Sequence, residues 1–206
     1  MATYVFSDVH GHAAPLARAI EKIAPADDDV FYCLGDMIDR GPDPLGVISI
    51  VRSLPNVHVL MGNHEDLMMA CMLEPEGELD AINAANWGIN GGIVTSEALA
   101  GLSEDEADEI VAWVASLPRC AHVTVGQRPY LLVHAGIDPS AVTVEGPWDD
   151  QRLDALLAEQ SPDDLLWIRE GFWGSHTGLV DAEGKGPIVI AGHTPTPYLD
   201  RLCADL

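Results

Sequence analysis

Short apolar runs and helix-period segments take turns along the first part of the chain. Thr3–Phe6, Val30–Leu34 and Val57–Met61 are rich in β-branched and aromatic residues and read as strands. Between them, Ala14–Ala24 places Leu16, Ala17, Ile20 and Ile23 on one helical face and stops before Pro25. Pro44–Leu54 repeats that spacing with Leu45, Ile48 and Val51, and Glu65–Leu73 predicts a third helix. Strands separated by helices of this length imply parallel pairing through right-handed crossovers, hence an α/β fold. A helical excursion follows over about residues 80–117, broken at Asn90-Gly91-Gly92. Within it, Ser103-Glu-Asp-Glu106 is a capping box opening a helix with Ile110, Val111, Val114 and Leu117 on its apolar side. Ala121–Val125 and Tyr130–His134 flank Gly126–Pro129 as a hairpin, and Pro187–Ala191 is a later strand feeding Gly192-His193-Thr194. Glu145–Asp150 and Gly171–Gly186 read as loops. With no repeat, low-complexity tract or linker, residues 1–206 are expected to form a single domain.

Composition narrows the partners. Lys and Arg number 10 against 33 Asp and Glu, so the formal charge is 10 − 33 = −23. Such a surface repels nucleic-acid phosphates and anionic membranes, and neither partner is expected. A phosphorylated substrate then needs a local positive centre, which bound divalent metal can supply. Cys33, Cys71, Cys120 and Cys203 are widely spaced without a C-x-x-C pair, as expected of small apolar side chains in a reducing compartment. No apolar stretch approaches the ~20 residues of a membrane span, and the N-terminus has no leader-like pattern. A cytoplasmic location is the expectation.

Each of the first three strands runs into polar residues suited to metal and proton chemistry: Asp8-Val-His10, Gly35-Asp36-Met-Ile-Asp39-Arg40-Gly41 and Gly62-Asn63-His64-Glu65. Open α/β sheets bind ligands at such strand ends. Asp8 and His10 are two apart and can converge on one ion. Asp36 can bridge that ion to a second, Asn63 offers an amide oxygen, and His134 and His193 end later strands with imidazole nitrogens. Asp8, His10, Asp36, Asn63, His134 and His193 form a mixed N/O set suited to manganese, iron or zinc. Two such ions about 3.5–4 Å apart neutralise phosphoryl oxygens and activate water. Arg40 and Arg169 can grip the remaining oxygens through their planar forks. His64, adjacent to Asn63, is better placed to protonate a leaving oxygen than to bind metal, with Asp39 orienting it. His58, inside an apolar strand, is expected to be a hydrogen-bonded core residue. Trp87, Trp148 and Trp173 are expected to serve packing.

These stretches, together with His134-Ala-Gly136 and Gly192-His193-Thr194, resemble the phosphoprotein phosphatase family of the calcineurin-like metallophosphoesterases. Leu166-Trp167-Ile168-Arg169-Glu170 is similar to the arginine-bearing stretch of its bacterial and phage serine/threonine phosphatases. The resemblance runs from residue 3 to about residue 197. It implies two mixed β-sheets packed as a sandwich flanked by helices, with the dimetal site at strand C-terminal ends. It also implies Asp8, His10 and Asp36 on one metal and Asp36, Asn63, His134 and His193 on the other, both manganese. Three departures stand out: Ser7 in place of glycine, Ala135 in place of the first glycine after His134, and an end 206 − 193 = 13 residues after His193, where relatives continue through further strands.

The expected activity is phosphomonoester hydrolysis by metal-bridged hydroxide, on a phosphorylated protein or a small phosphate ester. A serine/threonine protein phosphatase is the first expectation and a symmetrical diadenosine tetraphosphatase, with nearly the same motifs, the alternative. A nuclease-like phosphodiesterase is disfavoured because Gly192-His193-Thr194-Pro195 lacks the second histidine of Gly-His-x-His. A binding module that has lost catalysis is disfavoured because no ligand or acid is missing.

Overall fold

In the computed structural model the strands β1 (Thr3–Phe6), β2 (Val30–Cys33) and β3 (Val57–Val59) form a parallel sheet in that order. The structure describes residues 1–72, 78–143, 147–180, 185–195 and 197. The chain falls into two compact units, Met1–Pro118 and Arg119–Leu206, each built around its own small sheet flanked by helices.

In the first unit, register pairs Thr3 with Val30 and Phe31 with Val57, so all three strands deliver their C-termini to the same sheet edge. The crossovers are α1 (Ala13–Ile23) and α2 (Pro44–Ser53). Ala24 in the left-handed region ends α1 ahead of Pro25, and the Asp43 carboxylate caps α2 by accepting from Gly46 N, with Pro44 at the first turn. Met37, Ile38, Val47, Val51, Met68 and Val114 are among the side chains closed away in this unit's core. The excursion forms as three helices, α4 (Glu78–Ile89), α5 (Ile93–Ala100) and α6 (Glu104–Ala115), after α3 (Asn63–Met72). The Ser103–Glu106 capping box opens α6 as expected.

Most boundaries shift by one or two residues from the sequence reading, and two of the shifts bear on the site. β3 ends at Val59 rather than Met61, because Leu60 N still reaches Cys33 O (2.8 Å) while Met61 N turns to Pro118 O (2.8 Å). Helix α3 starts at Asn63 rather than Glu65. Asp66 N bonds Gly62 O (3.1 Å), which draws Asn63 and His64 into the first turn.

The second unit has a mixed sheet, with β4 (Cys120–Val125) antiparallel to β5 (Arg128–Val133) and β6 (Ile188–Ile190) parallel to β5. Leu131, Val133, Ile137, Leu153, Leu156 and Leu165 form much of its core. Helices α7 (Asp150–Ala158) and α8 (Pro162–Trp167) cover it, with Asp149 and Ser161 as N-caps. Neither was expected, although Ser161-Pro162 is a helix-start signal. The stretch expected to be a loop from Gly171 instead overlaps a short helix, α9 (Glu170–Trp173); its residues 181–184, residues 145 and 146 of the Glu145–Asp150 loop and Cys203 lie outside the described residues. Cys33, Cys71 and Cys120 are reduced thiols, the first fully buried. Among the described residues, no helix is long and apolar enough to cross a membrane.

Candidate active site

Backbone strain is concentrated where the chemistry is expected. Asp8, His10, Asp36, Asp39 and Arg40 take φ values of 56°, 45°, 55°, 68° and 64°, a region that side-chain-bearing residues rarely adopt. Each costs about 1–3 kcal/mol unless its surroundings hold it. Here they do. Asp8 N donates to Gly35 O (3.1 Å), His10 N to Asp36 O (2.9 Å) and Gly11 N to Met37 O (2.8 Å), lacing the loops after β1 and β2 together. Gly35 and Gly62 meet backbone to backbone, so a Cβ on Gly35 would overlap Gly62 N.

Glu65 completes the clamp. Its fully buried carboxylate accepts from Asp36 N (2.8 Å) and Gly62 N (2.9 Å) through Oε2, and from Met37 N (2.8 Å) and Ile38 N (3.4 Å) through Oε1. Its bond to Gly62 is the reach-back of a capping box, with Glu at the third helical position. Read that way, Gly62-Asn-His-Glu65 signals both the helix start and the clamp, a reading the sequence analysis did not make.

His10 presents its Nε2 outward. Its Nδ1 meets Ile38 O at 3.0 Å, and a carbonyl can only accept, so the proton is on Nδ1 and Nε2 carries the lone pair, which here accepts from Arg40 Nη1. Burial, assisted by Arg40 and His64, lowers its pKa to about 4 against the opposing Ile38 carbonyl bond and Asp8, so it is neutral at pH 7. Nε2 is 3.4 Å from Asp36 Oδ2. An ion about 2.1 Å from each atom would see them at about 108°, an ordinary angle between metal ligands. His64 Nε2 is 4.0 Å from Asp36 Oδ2, which would demand about 144°. The geometry therefore suits His10 as a ligand beside Asp36 and disfavours His64. Asp36 is nearly fully buried, and burial, then the nearby Glu65 carboxylate, raises its pKa well above the usual carboxylate range. Burial raises Glu65 as well, partly offset by its backbone donors. A dication beside Asp36 is what these buried carboxylates call for chemically. Asn63 is buried at the start of α3 and Asp8 half-buried after β1.

His64 is wholly buried and held by Asp39 Oδ2 at 2.6 Å from its Nδ1. Arg40, exposed at its outer end, directs Nη1 to His10 Nε2 (2.8 Å) and Nη2 to His64 Nε2 (2.7 Å). Since a guanidinium only donates, His64 Nε2 accepts and its proton lies on Nδ1, toward Asp39. Two further donors reach Asp39: Trp87 Nε1 to Oδ2 (2.9 Å) and Thr95 Oγ1 to Oδ1 (2.6 Å). Trp87 is thus more than packing, and Thr95 drew no attention in the sequence. Their separations from Asp39, 48 and 56 residues, leave no local signal.

In the second unit, His134 follows β5 and His193 follows β6. The strands are parallel neighbours and Gly192 N donates to His134 O (2.8 Å), which sets the two imidazoles edge to face at 5.1 Å. His193 has φ 63° and also meets the Trp167 ring edge-on at 6.0 Å. Arg169 is exposed at the N-cap of α9, its carbonyl accepting from Phe172 N (2.9 Å) and Trp173 N (3.2 Å). His58 is not the core residue expected; it is exposed on its short strand and stacks on Tyr32 at 4.9 Å.

Candidate metal ligands after parallel strands, beside a buried Asp–His pair, are the kind of arrangement that suits metal-dependent phosphoester chemistry. The chain belongs to the calcineurin-like phosphoesterase family, whose model matches residues 1–205. It is similar to the symmetrical bis(5'-nucleosyl)-tetraphosphatase of Erwinia tasmaniensis, 30% identical over 77% of this chain and 50% of that protein. The protein of the same description from Dechloromonas aromatica is 30% identical over 85% of this chain and 57% of its own length. The chain thus spans about half the length of these relatives. Among solved structures, a cold-active protein tyrosine phosphatase shares the fold with a TM-score of 0.51 and 19% identity, covering 93% of this chain and 66% of that one.

Proposed function

We propose that this protein is a dimetal phosphohydrolase that cleaves dinucleoside tetraphosphates symmetrically, adding water across the central P–O–P bridge to give two nucleoside diphosphates. The similarity to symmetrical tetraphosphatases at 30% identity carries this substrate choice over the protein phosphatase that the motifs first suggested. Both readings share the same ligand motifs, so those motifs do not separate them.

In this reading Asp8, His10 and Asp36 hold one ion, and Asp36, Asn63, His134 and His193 hold the other. Manganese is the expected metal, and iron or zinc suits the same donors. When bound, the ions supply Lewis acidity and positive charge for a highly anionic substrate in a protein of net charge −23. The outward Nε2 of His10 supports its part, as does the 3.4 Å spacing to Asp36. With that lone pair given to a metal, Arg40 Nη1 is released to a phosphoryl oxygen, and Arg169 is proposed as a second grip. His64, its Nδ1–H held by Asp39, donates to the departing oxygen from Nε2 once that nitrogen has given up the Arg40 Nη2 contact and taken up a proton from solvent to form the imidazolium.

The test is a substrate panel on manganese-loaded protein: diadenosine tetraphosphate, a phosphoserine peptide and a phosphodiester, with nucleotide products separated by ion exchange. The expected result is the highest kcat/KM for the tetraphosphate, with ADP as its nucleotide product. Preference for the phosphopeptide, or ATP plus AMP as products, would overturn the substrate assignment.

A further inference from the structure

We propose that Trp87 and Thr95, brought by α4 and α5, are positioning residues that fix the Asp39 carboxylate and thereby aim His64 at the leaving oxygen. The inference rests on the proposed role of His64 as proton donor. Asp39 has two oxygens, and donors reach both: Thr95 Oγ1 at 2.6 Å on Oδ1, with His64 Nδ1 at 2.6 Å and Trp87 Nε1 at 2.9 Å on Oδ2. The Thr95 hydroxyl also accepts from Asp39 N at 3.0 Å, so one side chain holds both the backbone and the carboxylate of Asp39. Asp39 sits at φ 68°, a conformation that needs such outside support. Asp39, His64, Thr95 and Trp87 are 0%, 0%, 1% and 5% exposed, so water does not readily replace a lost donor.

The helical excursion is shaped to this task. A Cβ on Gly92 would overlap the Trp87 indole, and Gly92 N donates to Trp87 O at 3.0 Å, so the break after α4 is fitted to the ring. The same break holds the neighbouring arginine, with Arg40 N donating to Gly91 O (3.1 Å) and Arg40 Nε to Asn90 O (3.4 Å). Asp39 and Arg40 are therefore presented by contacts from one distant segment. The effect is one of orientation: a carboxylate tethered on both oxygens cannot rotate, and the imidazole it holds keeps its Nε2 directed outward.

Three substitutions test the proposal in the full chain loaded with manganese. Thr95→Val removes the hydroxyl at nearly constant volume, Trp87→Phe removes the indole donor, and Thr95→Ser restores a hydroxyl. Activity is compared on phenyl phosphate, whose leaving oxygen needs a proton, and 4-nitrophenyl phosphate, whose leaving oxygen needs it far less. Thr95→Val and Trp87→Phe should lose kcat on phenyl phosphate by about 10- to 100-fold, the usual effect of disturbing a supporting partner, and markedly less on the nitrophenyl ester. Thr95→Ser should recover most of the loss. A second readout does not need turnover: the His64 Nδ1 proton should give an exchange-protected downfield resonance in metal-free protein, weakened in Thr95→Val and kept in Thr95→Ser. Equal losses on both esters, or an undisturbed resonance in both Thr95→Val and Trp87→Phe, would overturn the proposal. If the wild type cleaves neither ester, the functional reading fails instead, and the resonance still decides whether Trp87 and Thr95 fix the Asp39–His64 pair.

Discussion

Glu65→Gln isolates the clamp beneath the site, because it changes one atom and keeps the side chain's shape. In the native protein Oε2 serves Asp36 N and Gly62 N, and Oε1 serves Met37 N and Ile38 N. A carboxamide has one oxygen, so whichever way it turns, its NH2 group faces two backbone N–H donors in a site with no exposure. Leaving a buried donor unsatisfied costs about 1–3 kcal/mol, so two cost about 2–6 kcal/mol. One term opposes this: the substitution removes a buried charge that repels Asp36. That relief offsets part of the loss, since burial raises the Glu65 pKa despite its backbone donors. With a urea slope of about 2 kcal/mol/M, the expected loss is roughly 1–3 M in the unfolding midpoint of metal-free protein. Circular dichroism and tryptophan fluorescence should both report it. A midpoint within about 0.3 M of wild type, or one above it, would refute the clamp and show that the buried charge was the liability.

Other outcomes follow from the same geometry. His64→Asn should retain metal by elemental analysis yet lose roughly 10²–10⁴ in kcat on an ester with a poor leaving group; full activity there would remove His64 from the role of acid. Asp36 carries a raised pKa, so in metal-free protein at mildly acidic pH it holds a proton that metal must displace, and affinity should fall as pH drops through that raised value. Calorimetry in two buffers of different ionisation enthalpy should detect the released proton, and Asp36→Asn should abolish both release and binding. The stability contribution of Asp36 and Glu65 is fully present below the ordinary carboxylate pKa, about 4, and is lost as pH rises through their raised values. Manganese should therefore raise Tm more at pH 8 than at pH 5; a gain that shrinks with pH would contradict the assignment. Ser103→Ala removes the cap whose Oγ accepts from Glu106 N, and should cost about 0.5–2 kcal/mol in denaturant unfolding without changing metal affinity.

Local order was legible from the residues alone. Thr3–Phe6 is a strand with the boundaries its apolar run predicts, Pro44 opens its helix behind the Asp43 cap, and Ser103–Glu106 forms its capping box. Such features depend on neighbours a few positions apart, as does the placing of Asp8, Asp36 and Asn63 after successive strands. The pairing of His64 with Asp39 was also readable, because motif order along parallel strands fixes which loops share an edge. Tertiary structure decided the rest. Trp87 and Thr95 reach Asp39 only because the excursion folds back over the loop after β2, and Glu65 grips backbone amides 27 to 29 residues away. Donors to a buried carboxylate are chosen by proximity in space, and spacing along the chain carries no trace of that choice.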